Sequence, residues 1–130
     1  MYTWIAYHRH VMAEMESPMV VVETETFLAS ATRLGVSEKE RTALIIYLAT
    51  NPEVGRVVPE TGGVRKLRWA IPGRGKSGGA RVIYYYHNES IPLYALDIYT
   101  KNQKANLSAA EKKAARKTIA AIRAEHSRRK

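Results

Sequence analysis

Residues 64–104 constrain the fold more than any other part of the chain. They read V-R-K-L-R-W-A-I, then a glycine-rich break P-G-R-G-K-S-G-G, then A-R-V-I-Y-Y-Y-H, a short turn, and P-L-Y-A-L-D-I-Y-T-K-N. β-Branched and aromatic residues fill three strand-length runs, and glycine and proline punctuate them, which predicts three strands joined by two tight connections. Successive strand side chains point to opposite faces. Lys66 and Arg68 therefore share one face of the first strand, Arg81 starts the second, and Asp97, Tyr99 and Lys101 share a face of the third. Leu67, Trp69, Val82, Leu96 and Ile98 are left for the other face, to bury against helices. A sheet with an apolar back and a cationic front suits a polyanion.

The flanking sequence supplies the helices. Met19–Thr24 is strand-like. Phe27, Leu28, Ala31 and Leu34 then recur at helical spacing up to Gly35, a natural C-terminal cap. Ser37 and Glu40 form a capping box that opens a second helix, and Asn51-Pro52 ends it. Residues 53–63 read as a linking loop. Ser108 and Glu111 form another capping box, opening an alanine-rich helix to about Ala124. The expected class is α+β in the order β-α-α-β-β-β-α, a small antiparallel-rich sheet with helices packed on one face. At 130 residues the chain suits one domain. Residues 1–18 lack clean periodicity and read as a poorly ordered extension, 19–126 as the domain and 127–130 as a basic tail.

The net charge of +9 is unevenly spread: residues 1–63 carry −3 and residues 64–130 carry +12. That asymmetry points to nucleic acid or an acidic partner at the C-terminal half. With no cysteine there is neither a disulfide framework nor a thiolate metal site. The longest apolar runs are too short to span a bilayer, and no signal-peptide pattern is present. A reducing cytoplasm is the expected compartment, with no membrane partner.

Several motifs tempt. Residues 73–78 match G-x-G-x-x-G, but a dinucleotide fingerprint must open a helix and here a strand follows. The phosphate-loop ending Gly75-Lys76-Ser77 lacks the earlier glycine, whose position is Ala70. A flexible hairpin loop, with Arg74 and Lys76 as phosphate contacts, is the better reading. His8, His10, His87 and His126 show no metal-ligand spacing, and neither a Ser-His-Asp set nor paired carboxylates occur. Tyr85 falls on the face of Arg81, where it can stack a base or pack at the rim. No cofactor and no metal are expected.

Lys66, Arg68, Arg81 and Lys101 form the set that fits a chemistry. Attack of a ribose 2′-hydroxyl on the adjacent phosphodiester builds negative charge on the phosphate, which fixed cations stabilise without a metal. Crowded cations also favour proton exchange by a lysine, here Lys66 or Lys101.

The element order and the run R-K-L-R-W…G-G-A-R-V-I-Y-Y-Y…L-D-I-Y-T-K-N-Q-K-A-N-L-S resemble the RelE/ParE toxin superfamily, most of all its HigB-type members. The resemblance spans roughly Val20 to Ile122 and is strongest over residues 62–108. It implies a RelE-like fold and a ribosome-dependent mRNA endoribonuclease that cleaves in the A site. It also implies a cognate antitoxin, of the HigA-like helix-turn-helix kind, through which alone operator DNA would be bound. Carried over residue by residue, it implies catalytic roles for Lys66, Arg68, Arg81 and Lys101. Where the family has a tyrosine in its final helical segment, this chain has Leu107 and Ala110, so Tyr99 becomes the substitute. Arg65, Arg74, Lys76, Tyr85 and Lys104 complete an expected RNA-contacting set. Two other readings stay open: a ParE-like gyrase poison without nuclease activity, and a non-toxic RNA- or DNA-binding module.

Overall fold

The computed structural model describes residues 19–71 and 79–128. The expected extension, the loop bearing Arg74 and Lys76, and the last two residues lie outside them. The elements run β1 (Val21–Glu23), α1 (Glu25–Arg33), α2 (Glu38–Thr50), β2 (Arg56–Val57), β3 (Val64–Trp69), β4 (Ala80–Tyr85), β5 (Leu93–Thr100) and α3 (Ala109–Arg128). The α+β class holds, with two departures in order and length. A two-residue strand, β2, lies inside the expected linking loop, and α3 runs past Ala124 to Arg128. Two residues are too few to show a period, which is why β2 has no sequence signal. In the last turn of α3, His126 and Arg128 meet the negative end of the helix, and Arg128 pairs with Glu125 at 3.2 Å.

Local signals set the helix ends. Thr24 Oγ1 caps α1 by accepting from the Phe27 N–H at 3.2 Å, and Gly35 follows α1 with φ +75°. The Ser37–Glu40 capping box of α2 is complete in both directions, at 3.1 and 2.8 Å. The Ser108–Glu111 box ahead of α3 is complete too.

The sheet order is β1-β5-β4-β3-β2. β2, β3, β4 and β5 pair antiparallel, whereas β1 joins β5 in parallel, so the sheet is mixed rather than purely antiparallel. Helices cover both faces, not one. On the first face, Phe27, Leu44 and Leu48 of α1 and α2 pack on Val82, Ala95 and Ile98. On the second, Ile119 and Ile122 of α3 pack on Val64, Ile83, Tyr85 and Tyr99. Ala115, Ile119 and Ile122 form an apolar stripe at helical spacing, and such a stripe needs a sheet face to cover it. Burying each of the two isoleucines contributes about 1.5–3 kcal/mol.

One tyrosine ties the β2 approach to the first core. Tyr84 is fully buried. Its hydroxyl accepts from the Gly55 N–H at 2.7 Å and donates to the Pro52 carbonyl at 2.9 Å. A Cβ on Gly55 would lie 2.8 Å from the Tyr84 ring edge, so the close approach needs glycine there. Tyr84→Phe strands both backbone groups and should cost about 1–3 kcal/mol in urea unfolding. A loss below about 0.5 kcal/mol would mean that the strand approach is held by other contacts.

Candidate functional site

The strand register decides which side chains meet, because residues paired across a sheet project from the same face. Arg68 pairs with Arg81, Lys66 with Ile83, and Arg81 with Tyr99. Lys66, Arg68, Arg81 and Tyr99 thus share the face that carries α3. Arg56 joins them through its pairing with Lys66. It was not foreseen, because the strand that presents it carries no pattern of its own. α3 covers the Val64–Tyr85 end of this face. Arg68 and Arg81 lie toward the opposite end, beside the β3–β4 connection.

Arg68 and Arg81 stand directly opposite one another, and like charges so placed destabilise a sheet by a few tenths to about 1 kcal/mol. Among the described residues, no carboxylate is paired with either one. Lys66 is steadied instead by a neutral group, its Nζ donating to Asn106 Oδ1 at 3.2 Å. A fold that keeps two opposed, unneutralised guanidiniums holds positive potential ready for an anion.

Tyr99 forms the floor of this region. It is buried, and its hydroxyl has no hydrogen-bond partner among the described residues. Lys104 Nζ lies 4.7 Å from the ring centroid, in cation–π geometry. Burial pushes the Tyr99 phenol above its ordinary value, and Lys104 and Arg81 pull it partly back. The phenol is therefore protonated at neutral pH and can donate a hydrogen bond. Lys104 is itself held by Glu111. That ion pair, then the Ser108 backbone N–H, lowers the Glu111 carboxyl below the usual range. A lowered carboxylate favours the folded state above its unfolded pKa, and the contribution disappears as pH falls through the lowered value. Glu111→Gln keeps the capping geometry without the charge. It should flatten the acid limb of a stability–pH curve, measured by thermal melts between pH 3 and 7 (range about that of carboxylate titration).

Two expected site residues, Arg65 and Lys101, sit elsewhere, and two more, Tyr85 and Lys104, reach this face in other roles. Arg65 pairs with Tyr84 and so projects from the α1–α2 face. It donates to the Gly55 and Glu53 carbonyls at 2.8 and 3.1 Å, so it braces the β2 approach and is removed from an RNA-facing role. Tyr85 is on the face of Arg81 but only 2% exposed, packed under α3, and cannot stack a base. Lys101 follows the end of β5 and lies exposed in a turn, not on the strand face with Tyr99. Lys104 reaches the site, but as the Glu111-bound cover of Tyr99.

A β-bulge explains a further difference. Ile83 pairs with Asp97 and Tyr84 with Ala95, which leaves Leu96 as an extra residue in β5. Leu96 consequently packs on the Tyr99 side while Ile98 packs on the other, instead of the two sharing a face. The Asp97 carboxylate accepts from Ser30 Oγ of α1 at 2.6 Å and is not directed at the cations. His87 is exposed and its ring stacks on Tyr85 at 6.2 Å. Among the described residues no group of three or more His, Cys, Asp or Glu gathers as a metal site, and no helix is long and apolar enough to cross a membrane.

A family model described as the RelE toxin of the RelE/RelB toxin–antitoxin system matches residues 50–130, more than half of the chain. The matched segment takes in β2 to β5 and α3, and with them every cation of the shared face.

Proposed function

The chain belongs to the RelE toxin family, a toxin with a cognate antitoxin as partner, and from that membership we propose that it is an endoribonuclease that halts translation by cutting mRNA in the ribosomal A site. The observation that supports this reading is the opposed, unneutralised Arg68–Arg81 pair on one sheet face with Lys66. In the reaction, the ribose 2′-oxygen attacks the adjacent phosphorus, the 2′-proton is removed, and the bond to the 5′-oxygen breaks as that oxygen gains a proton. A cyclic 2′,3′-phosphate and a 5′-hydroxyl result. Arg68 and Arg81 stabilise the charge that builds on the phosphate oxygens. Lys66 is the candidate for proton exchange on this face, with Lys101 reaching it only from the exposed turn after β5, and the Tyr99 phenol is a donor to the same region. No cofactor is required for this chemistry. The ribosome supplies the aligned mRNA, which makes the compartment the cytoplasm.

The antitoxin fits the same electrostatics. A HigA-like helix-turn-helix partner would present acidic residues to the basic half, and operator DNA would be bound through that partner alone.

Induction of the chain in cells, followed by mapping of transcript 5′ ends, tests the function. Cuts inside translated codons are the expected result. DNA damage without such cuts would replace this reading by gyrase poisoning. Growth arrest relieved by co-expression of a neighbouring product, recovered with the chain in a pull-down, tests the partner.

A further inference from the structure

The connection from β5 to α3, residues 101–108, is tied down by two lysines. Lys66 Nζ donates to Asn106 Oδ1 at 3.2 Å. Lys104 Nζ donates to the Glu111 carboxylate in the first turn of α3. Gln103 Oε1 turns back to accept from the Thr100 N–H at 2.8 Å. The other oxygen of Glu111 accepts from the Ser108 N–H at 2.8 Å. Glu111 therefore holds Lys104 from a fixed place, the capped start of a helix.

Tyr99 is what this arrangement closes off. Lys104 Nζ stands 4.7 Å from its ring centroid, and the residue is 3% exposed. The Tyr99 hydroxyl is buried without a hydrogen-bond partner among the described residues. Such a hydroxyl is destabilising, and folded proteins keep few of them. Arg81 pairs with Tyr99 across the ladder, and the charges of Lys104 and Arg81 both reach the phenol. The hydroxyl thus lies on the side of the reacting arginines, yet in the closed arrangement it reaches no acceptor. The tie that keeps it covered is a weak one. The Lys104 and Glu111 side chains are 27% and 41% exposed, and ion pairs open to water contribute little. A phosphodiester held at Arg68 and Arg81 competes with Glu111 for the same ammonium.

We propose that the Lys104–Glu111 pair is a latch over Tyr99: the substrate phosphate draws Lys104 away from Glu111, and the uncovered Tyr99 hydroxyl donates a hydrogen bond to that phosphate. Glu111 is a positioning residue, which acts through Lys104 and touches no substrate. The inference rests on the nuclease reading given above and adds a step that precedes the chemistry. No proton is transferred in it. The resting protein lacks one donor until RNA is in place.

The test is the initial rate of mRNA cleavage on programmed ribosomes, read as kcat/KM for the full-length protein and its variants. With a latch that never opens, Tyr99→Phe only removes an unsatisfied group, so the melting temperature rises and cleavage stays at the parent's rate. An opening latch gives the same rise in melting temperature with cleavage about tenfold lower. Glu111→Gln keeps an oxygen for the Ser108 N–H but turns an amide NH₂ toward the Lys104 ammonium, two donors face to face. It should raise kcat/KM about two- to fivefold, the size of an ion pair open to water. That gain should vanish in Lys104→Met, where no cation is left to latch. Amide hydrogen exchange checks the fold: residues 102–107 should exchange faster in Glu111→Gln while residues 115–122 keep the parent's protection. Tyr99→Phe cutting at the parent's rate overturns the latch and leaves the nuclease reading standing. So does Glu111→Gln changing cleavage by the same factor with and without the Lys104 ammonium, which is what a merely structural cap does. A parent that cuts no mRNA overturns the nuclease reading, and the latch with it.

Discussion

Replacing Arg81 by alanine should lower mRNA cleavage by about a hundred- to a thousandfold, the usual loss when one preorganised charge-stabilising donor is removed. Arg81 is half-exposed at the start of β4, facing Arg68 across the ladder and Tyr99 on the other side. Its guanidinium packs no core, so the fold should survive. Removing one of two opposed like charges should even raise stability by a few tenths of a kcal/mol. The two readouts move in opposite directions: growth inhibition falls while the melting temperature holds or rises. A variant that expresses well and still arrests growth like the parent would falsify the assignment of transition-state charge to Arg81. The same substitution should also raise the Tyr99 phenol further, since Arg81 is one of the two charges that pull it down.

Ile119→Ala should destabilise the fold by about 2–5 kcal/mol, a large share of the 5–15 kcal/mol that keeps a domain of this kind folded. Ile119 is 2% exposed and lies at the centre of the contact between α3 and the sheet, with Val64, Ile83 and Tyr85. It also touches the turn before β3, where a Cβ on Gly62 would meet it at 3.5 Å. Urea unfolding gives the magnitude. A cost under about 1 kcal/mol would mean that α3 rests on the sheet loosely, and that the second face is not a true core.

Much of the architecture was legible because the deciding signals are local. Both capping boxes, the glycine after α1 and the proline after α2 fix helix ends from a few neighbouring residues. Period-two alternation placed Lys66 and Arg68 on one face of β3, and the pairing with β4 brings Arg81 to the same face. What escaped depends on pairing between distant segments. β2 is two residues long and exists because Arg56 and Val57 meet Lys66 and Arg65. Alternation cannot reveal the bulge at Leu96, since an extra residue is defined only against the partner strand. It misplaced Leu96 for that reason. Arg65 looked like one more cation in a basic run, and only the facing carbonyls of Glu53 and Gly55 show it turned to the other side. Tyr85 was given the right face, but sequence did not show that α3 covers that end of it. Asn106 carried no signal except its place in a turn-rich stretch.

The parallel pairing of β1 with β5 has a consequence for how the protein is made. Thr24 Oγ1 donates to the Ala95 and Leu96 carbonyls, the second of these 72 positions along the chain. Closing so long a loop costs chain entropy that must be spent before the contact returns anything, and contacts of this kind slow folding. During synthesis, β1 and α1 leave the ribosome with their apolar faces uncovered, and cover arrives only when β5 has emerged. α3, which floors the second face, comes later still. The opposed arginines are set by the β3–β4 pairing, but the Tyr99 floor beside them arrives only with β5, so a chain stalled before β5 holds the cations without the surface on which they rest.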